Sequence, residues 1–188
     1  MGAFSEDKAM AQLAEILALK CGVSPENARQ IRVAAVLHNI GKRKIPTDIL
    51  NKSDKLTAEE FDVVKTHTTL GAAMLESIQG ELGIMARTIA RYHHERYDGS
   101  GYWGKHLCEL PYYVEFVAIA DAFTTLVCRR PYKQPWPPED ALAYIENQAD
   151  IQFSAVLVEV FLPLVRNDSR VSAIFDCFRG GDEHSGGY

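Results

Sequence analysis

The sequence contains few cysteines, and their spacing builds no recognisable site. The four, Cys21, Cys108, Cys128 and Cys177, form no CxxC pair, which excludes a zinc ribbon and predicts free thiols rather than a disulfide framework. The chain also lacks a signal-peptide core and any apolar run long enough to cross a bilayer. We therefore expect a cytoplasmic protein that does not enter a membrane.

Positive charge is in deficit. The 20 Lys and Arg residues are outnumbered by 25 Asp and Glu residues, so the formal net charge is −5. Proteins that bind DNA normally present a basic face, and the sequence predicts that this chain does not bind DNA. An anionic ligand would have to be bound by a local cluster of cations.

Strand-like alternation is also absent, and apolar residues recur at helical spacing. Ser24-Pro25 and the capping box Thr57–Glu60 mark two helix starts, and Asp98–Gly104 is a glycine-rich loop. The predicted helices cover about 6–20, 24–40, 58–79, 82–96, 111–128, 139–146, 154–165 and 171–178. The sequence predicts an all-α bundle forming one domain over residues 1–179, followed by a flexible tail at 180–188.

Candidate metal ligands stand at the ends of predicted helices or inside them. His38 closes one helix, His67 lies inside another, and His93 and His94 are adjacent near the end of a third. Asp121 interrupts an apolar helix, where a carboxylate needs a cation or a hydrogen-bond partner. Imidazole with carboxylate suits iron, manganese or zinc. These residue types alone leave a metal site and ordinary structural histidines both open.

The local sequences around these residues resemble the HD-GYP family of metal-dependent hydrolases. The HD signature HDIGKxxIP resembles Leu37–Pro46, with Ile49, Leu50 and Lys52 beyond it, and the second histidine motif resembles Lys65–His67 with Gly71. The motif HHExxDGxGYP, which names the family, resembles Tyr92–Tyr102. Two further segments, Ile119–Phe123 and Arg130–Lys133, resemble the aspartate helix and the RPYK segment. The resemblance implies an HD-superfamily helical bundle with the metal site between helices.

The resemblance also implies a function and a set of roles. Family members hydrolyse cyclic di-GMP to pGpG or GMP at a centre of two or three iron or manganese ions. The implied metal ligands are His38, His67, His93, His94 and Asp121. The implied contacts to substrate are Lys42, which would meet the scissile phosphate, together with Asp98, Gly101, Tyr102, Arg130 and Lys133. Implied partners are GGDEF-domain or other signalling proteins and a second copy of the chain in a homodimer.

This chain departs from the family pattern at three positions. Asn39 replaces the aspartate that bridges two metals, and an amide offers one neutral oxygen where a carboxylate offers two charged ones. We expect the metal on the His38 side to be weakened and the three-histidine side to hold one ion. Glu6 stands near the place of a further upstream ligand, and Trp103 stands where the motif has proline.

Three functions remain open on this sequence. The first is a cyclic di-GMP phosphodiesterase that tolerates Asn39. The second is a catalytically degenerate domain that binds a nucleotide or another protein. The third is a generic HD nucleotide phosphohydrolase, against which the glycine loop and the RPYK segment argue.

Overall fold

The computed structural model describes residues 2–128 and 134–179 of the 188-residue chain. Within these ranges the regular structure is helical, with no β-strand beyond isolated bridges, so the predicted all-α class is confirmed. Two short 3₁₀ helices, Ile40–Lys44 and Leu107–Glu109, lie among the α-helices. These are α1 Gly2–Lys20, α2 Pro25–Ala35, α3 Thr47–Leu50, α4 Ala58–Lys65, α5 His67–Met74, α6 Gly80–Tyr92, α7 Tyr112–Val127, α8 Pro138–Glu146, α9 Ala155–Asn167 and α10 Ser169–Arg179.

Helices α1 and α7 form the centre of the hydrophobic core. α1 packs against α2, α7, α9 and α10, and α7 also contacts α6 and α8. A helix that is apolar around most of its circumference is stable only when it is buried on several sides. The residues of α1 that are buried in this way are Ala9, Met10, Ala11, Leu13, Ala14, Ile16, Leu17 and Ala18. Asp121 lies on α7, which is buried along most of its length, and its own side chain is partly buried.

The two helix starts recognised in the sequence are confirmed. Ser24 accepts a hydrogen bond from the backbone N–H of Asn27, and Pro25 occupies the first helical position of α2. Thr57 and Glu60 form a reciprocal capping box at the start of α4. The backbone N–H of Glu60 donates to Thr57 Oγ1 at 3.2 Å, and the backbone N–H of Thr57 donates to Glu60 Oε2 at 2.8 Å. Each such cap stabilises a helix by about 1 kcal/mol.

The single helix predicted over 58–79 is wrong, because the chain breaks at Thr66 into α4 and α5. The side chains of three consecutive residues, Thr66, His67 and Thr68, each bond to the backbone carbonyl three residues earlier. Such bonds compete with the helical backbone ladder. The break sets His67 at the first position of α5, where its imidazole turns inward.

Two glycines bring the 3₁₀ helix Ile40–Lys44 directly against α5. A Cβ added to Gly41 would lie only 1.9 Å from the backbone oxygen of His67, and one added to Gly71 would lie 3.2 Å from the nitrogen of Gly41. Only glycine allows two backbones to approach so closely. This contact holds the segment carrying Asn39 and Lys42 next to the helix carrying His67.

The helix ends at the other histidines also fall earlier than predicted. α2 ends at Ala35 and α6 at Tyr92, so His38, His93 and His94 lie in the turns beyond them. Helices α8, α9 and α10 lie within a few residues of their predicted bounds. No described helix has the length and apolar character needed to cross a membrane. The single-domain organisation over 1–179 stays a prediction, and the predicted tail at 180–188 lies outside the described residues.

Candidate metal centre

His38, His67 and His93 share one local geometry. The Nδ1 atom of each donates to a backbone carbonyl three residues earlier, at 2.8, 2.7 and 3.1 Å respectively. A carbonyl oxygen can only accept, so Nδ1 carries the hydrogen and Nε2 of the neutral ring presents a lone pair. The hydrogen bond also holds the ring orientation, as it does for histidines that bind metals.

The triad of His67, His93 and His94 brings such lone pairs together. One ligand atom from each of the three lies within 4.8 Å of the others. The Nε2 atoms of His67 and His93 face each other at 3.4 Å, although both are acceptors. Two acceptors at this distance repel unless a positive charge lies near both of them. The arrangement therefore suits a cation.

The triad is neutral at physiological pH. Burial lowers the pKa of His67 to about 4 and that of His94 to about 3, and it lowers the pKa of fully buried His93 well below the ordinary value. The positive charge of Lys42 contributes to the low pKa of both His67 and His94, because its ammonium lies near them. Neutral imidazole is the form that binds metals.

The other half of the cluster consists of His38, Asn39 and Asp121. Here the lone pair of His38 Nε2 accepts a hydrogen bond from Nδ2 of Asn39 at 2.6 Å. The same Nε2 lies 3.5 Å from Oδ1 of Asp121. The amide oxygen of Asn39 is buried and has no hydrogen-bond partner, which costs about 1–3 kcal/mol. The predicted metal ligand His38 is thus already bonded to the residue that replaces the family's aspartate.

Asp121 supplies the negative charge of the site. Burial raises the pKa of its carboxyl, but the charge that His38 and the neighbouring histidines carry when protonated outweighs burial and holds the pKa well below its ordinary value. Its side chain is 21% exposed. Asp121 is therefore ionised at physiological pH and can balance part of the charge of a cation.

These residues fit the metal that the family pattern implies. Three neutral imidazoles converge, an ionised carboxylate lies beside them, and the Asn39 oxygen is a buried acceptor without a donor. Imidazole and carboxylate ligands favour divalent transition metals. The described residues therefore include a cluster that can bind a metal ion.

A buried carboxylate, Glu95, organises the glycine-rich loop beside the triad. Its two oxygens accept the backbone N–H groups of Trp103 and Lys105, both at 2.8 Å. A Cβ on Gly101 would meet the Cα of Glu95 at 2.5 Å, so the loop lies directly on this backbone. The loop places the ring of Tyr102 4.5 Å from that of His94. Sequence analysis missed Glu95, since its position after two histidines does not reveal which N–H groups it binds.

The remaining predicted site residues are placed as follows. Asp98 is exposed, and its carboxylate accepts two hydrogen bonds from Ser100 within the loop rather than joining the histidines. Glu6 is half-buried near the start of α1, a helix that packs on α2 and α7. Arg130 and Lys133 lie outside the described residues. The substrate and ligand roles of these four residues, like those of the other site residues predicted from the sequence, stay predictions.

Comparisons with known proteins show which family the sequence resembles. A family profile described as "HD domain" matches residues 2–155. A cyclic di-GMP phosphodiesterase of Thermotoga maritima is 43% identical over 149 residues, which are 79% of this chain and 40% of that protein. A cyclic di-GMP phosphodiesterase response regulator of Xanthomonas campestris is 40% identical over 81% of this chain and 41% of its own length. This chain thus spans about two fifths of the length of these curated relatives.

A solved structure shows the same fold. An HDG"Y"P protein from Bdellovibrio bacteriovorus superposes with a TM-score of 0.69 and 18% identity, over 86% of this chain and 51% of that one. The matched profile and the histidine cluster together define the class, and the chain belongs to the HD domain family. Within it, the motifs and the named relatives place the chain in the HD-GYP group.

Proposed function

We propose that this chain is the hydrolase domain of a cyclic di-GMP phosphodiesterase, with its metal held by the triad of His67, His93 and His94. The observation that carries the proposal is that the Nε2 atoms of the buried residues His67 and His93 lie 3.4 Å apart with their lone pairs opposed. Relatives with similar sequences are named cyclic di-GMP phosphodiesterases. We propose iron or manganese as the metal, bound as one ion by the triad. GGDEF-domain partners and a homodimer stay predictions.

The chain's own residues supply the parts that phosphodiester hydrolysis needs. His67, His93 and His94 would hold a divalent metal, which would supply Lewis-acid chemistry and a hydrolytic nucleophile at neutral pH. Lys42, half-buried beside the triad, would pair with the scissile phosphate and offset the charge that develops on it. Tyr102 and its loop cover the His94 side and exclude water from it. Arg130 and Lys133 would add cations for the rest of the dinucleotide.

The contact between Asn39 and His38 favours a second candidate function. The Asn39 Nδ2 atom donates a hydrogen bond to the lone pair of His38 Nε2 at 2.6 Å. A metal on that side would therefore first have to displace the amide. A neutral amide also neutralises less of the charge of a cation than a carboxylate does. The second candidate is a domain that binds the nucleotide and turns it over slowly or not at all.

The experiment that separates these functions compares the natural protein with Asn39→Asp. Both proteins are loaded with manganese or with iron, and conversion of cyclic di-GMP to pGpG is measured beside metal content per chain. Asn27→Asp is the matched control, because Asn27 is exposed in the first turn of α2 and the change adds the same charge. A dinucleotide with one guanine replaced by adenine tests the base requirement.

The phosphodiesterase proposal predicts turnover by the natural protein with one metal per chain. Turnover by Asn39→Asp alone, accompanied by a second metal, would establish the binding function instead, provided that the natural protein binds cyclic di-GMP in a parallel titration. If neither protein binds or cleaves cyclic di-GMP while metal is present, both candidates are wrong and a different substrate must be sought.

A further inference from the structure

Trp103 is anchored by two hydrogen bonds although its side chain is 42% exposed. Its backbone N–H donates to Glu95 Oε1 at 2.8 Å, and its indole Nε1–H donates to Thr68 Oγ1 at 3.0 Å. An exposed indole could satisfy its N–H with water at no cost. Here the N–H is instead directed to a specific hydroxyl on another element.

Thr68 is well suited to accept this bond. It is fully buried in the first turn of α5, next to His67. Its hydroxyl hydrogen is already committed to the carbonyl of Lys65 at 2.8 Å, so its lone pairs are free to accept. The indole therefore ties the glycine-rich loop to the helix that carries a triad histidine.

The residue positioned by this tie is Tyr102. Its ring lies 4.5 Å from the ring of His94 and 5.8 Å from the exposed ring of Phe61. Tyr102 directly precedes Trp103, so any loosening at Trp103 moves it. A proline at position 103 would have neither the backbone N–H nor the indole N–H, and both bonds would be lost.

We propose that Trp103 is a positioning residue, which locks the loop onto α5 through Thr68 and so holds Tyr102 against His94 before a ligand arrives. The inference rests on the proposed function for its consequence, a gain in nucleotide affinity through preorganisation. It requires no contact between Trp103 and the metal.

The test uses Trp103→Phe, which removes the indole donor together with part of the ring, Thr68→Val, which removes the acceptor, and the double variant. Trp136→Phe is the matched control, because Trp136 is the other tryptophan and packs against Tyr144. Thr68→Ser keeps the hydroxyl and should restore natural behaviour. Two readouts are measured: hydrogen exchange of the backbone amides at 103 and 105 in the metal-loaded protein without nucleotide, and the Kd for cyclic di-GMP.

Loss of one hydrogen bond that contributes about 1 kcal/mol changes an equilibrium constant by about fivefold. We expect amide exchange about fivefold faster and cyclic di-GMP binding about fivefold weaker in each single variant. Metal content should not change, and the double variant should be no worse than either single one. This non-additivity is the signature of a shared bond.

Unchanged exchange at both amides in Trp103→Phe would overturn the inference, whatever happens to binding. Additive effects in the double variant would also overturn it, because the two residues would then act separately. If the natural protein binds no cyclic dinucleotide, the proposed function fails. The exchange measurement still decides whether the tie holds the loop.

Discussion

Each half of the histidine cluster contains a histidine whose Nδ1 is bonded to a backbone carbonyl, but the halves differ in what the Nε2 lone pairs meet. In the triad, the Nε2 atoms of His67 and His93 face each other at 3.4 Å with no donor between them. In the other half, the Nε2 atom of His38 is already bonded to the amide of Asn39 at 2.6 Å. The triad thus needs a cation between its lone pairs. In the other half, the lone pair of His38 already has a hydrogen-bond donor in Asn39.

The difference shows how one atom changes a metal site without disturbing its fold. An aspartate at position 39 would present only acceptors to His38, and a cation would be needed to hold them together. The asparagine replaces one acceptor with a donor, so the same backbone is stable without the ion. The cost appears at the other amide atom, the buried and unpartnered oxygen of Asn39.

The largest expected effect comes from breaking the contact that joins the halves. In Gly41→Ala the new Cβ would overlap the backbone oxygen of His67, which cannot move without shifting α5. We expect a loss of about 3 kcal/mol or more in the free energy of unfolding, measured by urea denaturation. Gly71→Ala, whose Cβ would lie 3.2 Å from the Gly41 nitrogen, should cost less. An equal loss in the two variants would contradict this ranking.

Removing one ligand from each half tests the comparison directly. His93→Gln should weaken metal binding by on the order of 100-fold or more, since even residues that only support a ligand contribute 10–100-fold. His38→Gln should change the affinity of the same ion by less than tenfold. Both are read by competition with a chelator of known affinity. Equal losses would show that one ion is shared across both halves.

The sequence predicted the fold class, and it singled out the three histidines that the structure brings together, because motif and helical period are local properties. The histidines could be located from their motifs, and Asp121 stood out as a carboxylate in an apolar helix. The break at Thr66 could not be seen, because it depends on side chains bonding carbonyls three residues back, and threonine and histidine do so only in particular backbone settings.

The long-range contacts of the site were also beyond the sequence. Asn39 was recognised as a departure from the family motif. Its hydrogen bond to His38, however, depends on which ring nitrogen of His38 donates to a backbone carbonyl. The tie from Trp103 to Thr68 spans 35 positions in the chain, and no pattern in either segment indicates it. Such contacts arise from how the helices pack, which the helical period alone does not determine.

The pH dependence of the metal-free protein should report the triad. His67 has a pKa of about 4 and His94 of about 3 in the fold, against 6.5 ordinarily. Below pH 6.5 the unfolded chain therefore binds protons that the folded chain does not. The free energy of unfolding consequently decreases as the pH is lowered. We expect the contribution of His67 to be lost between about pH 6.5 and 4 and to be constant above that window.

Urea denaturation at a series of pH values measures this slope. His67→Gln removes one of the titrating groups, so its stability should fall less steeply between pH 6.5 and 4 than that of the natural protein. An identical slope in the variant would mean that folding does not lower the pKa of His67, and that burial does not hold this imidazole neutral.

The smallest expected effect separates two carboxylates that hold the glycine-rich loop beside the triad, one before the loop and one within it. Glu95 is buried and accepts two backbone N–H groups, whereas exposed Asp98 accepts its hydrogen bonds from Ser100. Charged hydrogen bonds of the buried kind stabilise more than exposed ones, so Glu95→Gln should weaken cyclic di-GMP binding by about tenfold. Asp98→Asn should weaken it by less than about threefold, with metal content unchanged in both. A tenfold loss in Asp98→Asn at full metal content would instead give Asp98 the substrate contact that the motif implies.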